Sequence, residues 1–254
     1  MMDNDRLHLR LTVEDFREIH MTQPLERKVT QDNALISASY SMTLDEKRLL
    51  MALISKIDPT SKAWKTGSLS VEITITEWAE LYSIKGGNTY ERLNEASKRL
   101  YNRSVRIKGD SKKGKEIRWL SAREYNEGEG VVILTFANPI LKYLTSLFDQ
   151  FTSYDLLGVS GLKSMHSVRL YELACQYKST GWRYMTLDEL REALDLQDSY
   201  VRWVDLRKYV LDKSCREVTQ KSDYIIAYEA VKKGRGVDAI KLFIKPKDQL
   251  ELEL

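Results

Sequence analysis

One order of elements occurs twice in this chain, and such a duplication restricts the fold more tightly than composition does. In the first copy, Thr43–Lys56 (T-L-D-E-K-R-L-L-M-A-L-I-S-K) opens with a threonine and, three residues on, Glu46. That is a capping box at the start of an amphipathic helix. Ser70–Ile75 alternates as a short strand. Thr76 is placed to cap a second helix, E-W-A-E-L-Y-S-I. Lys85–Asn88 is a turn, and Thr89–Arg103 a third helix. Two strands, Ser104–Lys108 and Lys115–Arg123, then enclose G-D-S-K-K-G-K, and Gly130–Phe136 follows as another.

The second copy keeps the order. Ser167–Lys178 (S-V-R-L-Y-E-L-A-C-Q-Y-K) stands where the Arg48-Leu49 helix stands, Arg183–Met185 is the short strand, and Thr186-Leu187-Asp188-Glu189 opens the next helix. After a two-residue deletion in the turn, Tyr90–Leu100 aligns with Tyr200–Val210. Leu93, Ala96 and Leu100 form an i, i+3, i+7 stripe, as do Trp203, Leu206 and Val210. Tyr224–Val231 and Val237–Ile244 form a hairpin around K-K-G-R-G, matched to the one around D-S-K-K-G-K. In the last strand Ile240, Leu242 and Ile244 alternate with Lys241, Phe243 and Lys245. Helix, strand, helix, turn, helix, hairpin is the order of a winged helix-turn-helix. The expectation is an α+β chain of two tandem winged helix-turn-helix domains related by pseudo-twofold duplication. A flexible tail covers 1–30, the first domain 31–150 and the second 151–254, with the boundary region near Asn138–Leu157.

Charge separates the two copies from their surroundings. The chain of 254 residues carries a net charge of only +3. Lys85–Arg118 holds 11 basic and 4 acidic residues, and Lys232–Lys247 holds 6 and 1, so the remainder is net negative at −9. A basic surface confined to two segments is the electrostatic footprint of a nucleic-acid binder. Two cysteines, Cys175 and Cys215, make no disulfide framework and read as buried or half-buried thiols of a reducing, cytoplasmic compartment. No stretch has signal-peptide or membrane-span character, so no membrane partner is expected.

Catalytic readings fail on spacing. Gly109–Glu116 approaches the phosphate-loop pattern G-x-x-x-x-G-K-[ST], but Glu116 replaces the metal-binding hydroxyl and the segment joins two strands. His8, His20 and His166 are isolated, which excludes the paired histidines a DNA-nicking site needs, and two scattered cysteines exclude zinc. Asp45-Glu46 and Asp188-Glu189 are capping positions. No enzyme activity and no cofactor or metal are expected.

In the second domain, Ser199, Tyr200 and Arg202 stand at the N-terminal end of the third helix, with Arg207 and Lys208 further along. Side chains there reach base edges in a major groove, where arginine can be bidentate to guanine and Ser or Tyr suits phosphate. The competing role for Arg202 is a pair with Asp205 or Asp198 on its own helix. Lys232, Lys233 and Arg235 would meet flanking phosphates from the wing. The first domain offers Lys98, Arg99 and Arg103 on its third helix and Lys112, Lys113 and Lys115 on its hairpin, with simple solubility as their alternative role.

From Asn33 to Pro246 the chain resembles the iteron-binding replication initiators of theta-replicating plasmids. The resemblance rests on S-Y-S-M-T-L-D-E-K-R-L-L, S-V-R-L-Y-E-L-A-C-Q-Y-K, D-S-Y-V-R-W-V-D-L-R-K-Y-V-L and the closing Y-E-A-V-K-K-G-R-G. It implies binding of double-stranded DNA at repeated origin sites, with dimers repressing the chain's own gene at an operator inverted repeat. It also implies a homodimer in free solution, a monomer on each iteron, and recruitment of the host replication initiator and replicative helicase. It favours DNA contact for Arg202, Arg207 and Lys208. Two other readings stay open on sequence: a winged-helix transcriptional repressor without initiator activity, and a protein-interaction module whose basic faces meet acidic partners.

Overall fold

The computed structural model of the protein describes residues 27–107, 114–126, 130–145, 150–196 and 198–248. β1 (Lys28–Asp32) runs into a one-turn helix, α1 (Asn33–Ile36), whose second amide, at Ala34, donates to the Asp32 carboxylate at 2.7 Å. α2 (Leu44–Ile54), α3 (Ala63–Thr66), β2 (Leu69–Thr74), α4 (Ile75–Leu81) and α5 (Thr89–Tyr101) follow. Next come β3 (Ser104–Ile107), β4 (Lys115–Arg118), β5 (Leu120–Asn126), β6 (Val131–Phe136) and α6 (Asn138–Thr145). The second copy opens alike, with β7 (Phe151–Asp155) and α7 (Leu156–Ser160), the Asp155 carboxylate accepting from Leu157 N at 2.8 Å. α8 (Met165–Cys175), β8 (Trp182–Thr186) and α9 (Leu187–Ala193) lead to α10 (Trp203–Asp205). α10 passes through a π-helical turn (Leu206–Leu211) into α11 (Asp212–Lys221), before β9 (Tyr224–Lys233) and β10 (Gly236–Pro246).

Each copy is a winged helix. Three helices pack on an antiparallel three-stranded sheet, β2-β6-β5 in the first domain and β8-β10-β9 in the second. The β10 alternation places its core face as read, with Ile240, Leu242 and Ile244 buried, and Val132, Leu134 and Phe136 of β6 are buried in the first copy. Leu93, Ala96 and Leu100 are buried beneath α5, and Leu206 and Val210 beneath the π turn. Cys175 is buried and Cys215 half-buried, as their settings predict.

Capping boxes start α2 and α9. Thr43 and Glu46, and Thr186 and Glu189, each satisfy the other's backbone amide. Thr186→Ala is expected to cost about 0.5–2 kcal/mol. Urea unfolding would show this as a lower midpoint at unchanged slope. An unmoved midpoint would mean that the helix starts without its cap.

Several local expectations are corrected. The cap of α4 is Thr74, not Thr76, because Thr74 has Glu77 at its third helical position, where the amide donates to the threonine at 3.1 Å. A carboxylate there also complements the helix dipole. α5 ends at Tyr101, so Arg103 lies beyond it. β1 begins at Lys28, inside the stretch read as a tail, and Arg27 is 2.9 Å from Glu77. In the second domain the helix starts at Trp203, three residues later than the alignment of Tyr200 implies, and runs on to Lys221. The larger correction concerns the first domain's wing. Sheet topology makes β5–β6 the equivalent of β9–β10, whereas β3–β4 is a separate two-stranded hairpin. The basic segment D-S-K-K-G-K therefore sits on an added hairpin, and the link of the true wing reads Glu127-Gly128-Glu129. Residues 108–113, including Lys112, Lys113 and most of the phosphate-loop look-alike, lie outside the described residues.

The two copies meet at an internal axis. β1 pairs antiparallel with β7 so that Thr30 faces Ser153, with the hydroxyls 2.8 Å apart. Both are the central residues of their strands. Arg48 of α2 and Arg169 of α8 occupy matching positions and cross to the opposite copy. Arg48 donates to Leu162 O at 3.0 Å, while Arg169 donates to Ile36 O at 2.8 Å and Ala38 O at 2.9 Å. Between them Glu172 is fully buried, 2.8 Å from Lys47 Nζ and 3.1 Å from Arg169 Nη1. It also accepts from Gln31 Nε2 at 2.9 Å and Tyr154 OH at 2.6 Å. Tyr40 OH accepts from both Lys47 (2.8 Å) and Arg169 (2.6 Å). Buried charge survives only when paired and hydrogen-bonded this completely.

Candidate nucleic-acid interface

The second domain's recognition element is built from its preceding turn. Tyr200 holds a left-handed backbone (φ 53), a conformation costly for a bulky side chain. Arg191 fixes it by donating through Nη2 to Tyr200 O at 3.1 Å and Val201 O at 2.7 Å. The Tyr200 ring rests edge-on against His166 and tilted on Tyr209, with centroids 6.4 and 6.2 Å apart. Burial pushes the His166 pKa below the ordinary imidazole value, which favours the uncharged ring beside Tyr200. Arg202 then takes the helix N-cap position in extended geometry (φ −76, ψ 138). Ser199 lies in the same turn, its amide donating to Leu196 O at 3.0 Å.

The π turn inserts one residue into the helical phase, so Arg207, Lys208 and Tyr209 are consecutively exposed. Such bulges recur at functional sites. Arg207 is 54% exposed, with Nε 4.0 Å from Asp212. Tyr228 OH donates to the same carboxylate, which raises the phenol's pKa after the larger effect of burial. Lys208 and Lys213 stand over the Tyr209 ring at 5.0 and 5.4 Å. Arg202 is 80% exposed, and its Nε lies 2.7 Å from Asp205 Oδ2. That is the within-helix pair the sequence allowed for it. At the wing tip Gly234 supplies the left-handed turn (φ 63) between Lys233 and Arg235. No ion pair reaches Lys232, Lys233 or Arg235 from the described residues.

The first domain differs. Lys98 pairs with Glu95 at 3.0 Å, lowering that carboxyl's pKa. Arg103 grips Glu46, the capping-box carboxylate, through both Nε and Nη2 at 3.1–3.3 Å. Arg92 does the same to Asp45. Arg99 and Lys115 are exposed. In the first domain Arg92 and Arg103 are thus paired with α2 carboxylates and Lys98 with one on its own helix, whereas Lys232, Lys233 and Arg235 of the second domain's wing have no ion pair among the described residues. Lys213 and Arg216, exposed on α11, and Val201, Val204 and Tyr209 were missed by the sequence reading. Their signal was the periodicity continuing past Val210 through Ser214 and Val218, both buried.

Among the described residues no three His, Cys, Asp or Glu side chains gather as a metal site, and no helix is long and apolar enough to cross a membrane. The fold and its basic helix-and-wing surface define a twin winged-helix protein of the DNA-binding class. The chain belongs to the initiator replication protein family: residues 28–175 match the model described as Initiator Replication protein, WH1, and 186–244 that described as Initiator Rep protein, WH2. It is 25% identical over 233 residues to a replication initiation protein of Escherichia coli, covering 89% of this chain and 72% of that one. An uncharacterized 27.6 kDa protein of Escherichia coli is 22% identical over 223 residues, covering 84% and 93%. The crystal structure of the Pi initiator protein in complex with iteron DNA superposes with a TM-score of 0.76 at 22% identity, covering 89% of this chain and 100% of that chain.

Proposed function

We propose that the protein initiates plasmid replication by binding directly repeated origin sequences, iterons, chiefly through its second winged helix. The observation carrying this is the row of exposed cations from Arg207 and Lys208 to Lys232, Lys233 and Arg235, in a member of the replication initiator family. The first domain contributes backbone contacts and the dimer surface. In this reading the free protein is a homodimer that represses its own gene at an inverted repeat, and a monomer occupies each iteron. The host initiator and replicative helicase are then recruited to the opened origin. The family and the relative's complex with iteron DNA support this.

Arg207→Ala is expected to weaken binding to the repeats beside the chain's gene by about 5–150-fold while leaving random duplex nearly unchanged. Fluorescence anisotropy on the two duplexes measures it. Equal losses on both would reduce Arg207 to a phosphate contact. Sedimentation of the protein on a single-repeat duplex should give one chain per site, and two chains at saturation would overturn the monomer reading. If a plasmid carrying the repeats failed to persist with the gene supplied, the initiator role itself would fall.

A further inference from the structure

Two valines stand in water where the recognition helix begins. Val201 is 73% exposed and Val204 59%, the first just before the N-cap residue Arg202 and the second in the opening turn of the helix. Neither is needed by the core, which this helix fills with Leu206, Val210, Leu211 and Val218. Nor is their position loose. Arg191 pins the Val201 carbonyl at 2.7 Å, and Arg202, between the valines, is held to Asp205. The surroundings are cationic: Arg202, Arg207, Lys208 and Lys213 all lie exposed on the same helix.

A fixed apolar island inside a basic frame has a complement of the same pattern. A major groove is bordered by phosphates, and the one apolar group on its floor is the thymine 5-methyl. Valine offers no hydrogen-bond donor or acceptor, so it cannot satisfy guanine, adenine or cytosine edges and leaves them desolvated. We infer that Val201 and Val204 read thymine methyl groups in the bound repeat, adding an apolar component to specificity beside the arginines.

This rests on the DNA reading above, and the test separates the two. Each thymidine of the repeat is replaced in turn by deoxyuridine, which deletes only the methyl, and affinity is measured for the wild-type chain, Val201→Ala, Val204→Ala and Val204→Thr. Loss of one methyl contact is worth about fourfold in affinity. The wild type should lose that at one or two positions, and the matching alanine variant should lose nothing further there. Both positions are exposed, so the variants should fold as the parent does, and an unchanged unfolding midpoint verifies it. Specific binding that ignores every deoxyuridine, or losses that add in full to those of both alanine variants, overturns the inference alone. A wild-type chain that cannot tell the repeat from random duplex sinks the initiator reading and this inference with it.

Discussion

Glu172→Ala is expected to destabilise the folded chain by about 3–5 kcal/mol, because it strands Lys47 and Arg169 in the interior with no anion to face. Among the described residues Glu172 is the only carboxylate that either cation pairs with at the junction, and all three side chains are sealed from solvent. Marginal domains hold about 5–15 kcal/mol in total, so the variant should unfold at much lower urea. Replacing Lys47, Arg169 and Glu172 together with apolar residues of similar volume should cost far less, since no unpaired charge remains. A single-variant loss under about 1 kcal/mol would show that water reaches the junction. pH acts in the same direction. Burial pushes the Glu172 carboxyl up, but Lys47 and Arg169 outweigh it and hold the pKa below its ordinary value. The stabilisation is therefore present above the ordinary carboxylate range and is lost as pH falls through the depressed folded value.

Neutralising Lys232, Lys233 and Arg235 together should lower affinity for every duplex alike. Each phosphate contact releases counterions worth about 0.9 in the slope of log K against log salt, so three remove about 2.7. At 0.1 M salt that slope corresponds to about a 500-fold loss relative to 1 M, where the contribution vanishes. The wing tip is exposed and built on a glycine turn, so the triple variant should fold as the parent does. Titration of random and repeat duplexes over a salt series measures both quantities. A variant with the parent's slope would leave the hairpin as a solvated tip.

The elements that were legible in sequence carry their signal locally. Both capping boxes needed only four residues each, and the β10 strand declared itself by alternation. What was hidden depends on the other copy or on a break in phase. β1 and β7 are five residues each, and among the described residues each pairs with the other alone, its partners 119–127 positions away in the chain. Three successive strands after α5 could pair in more than one way, and the pattern alone chose the wrong hairpin as the wing. Tyr200 gave no hint of a left-handed backbone, so the helix start was set too early, and the π turn hid only Tyr209, since Arg207 and Lys208 had been read as exposed. Glu172, Lys47 and Arg169 carried no local signal, because Lys47 meets the Arg169–Glu172 pair of α8 only where the two copies pack together. Arg103 showed the converse: a cation on the expected surface, turned back to hold the Glu46 cap.

Thr30 and Ser153, facing one another on the internal axis, mark the chain as a pair of subunits fused end to end. True twofold partners present identical surfaces and suit a palindrome, which reads the same from either end. Here the two halves have diverged, one with Arg92 and Arg103 paired to α2 carboxylates and a glutamate-bearing wing link, the other with lysines and an arginine at its wing tip. A duplex lying across both halves acquires a head and a tail. Sites of that kind can be strung in one direction, each copy of the protein following the last with the same polarity.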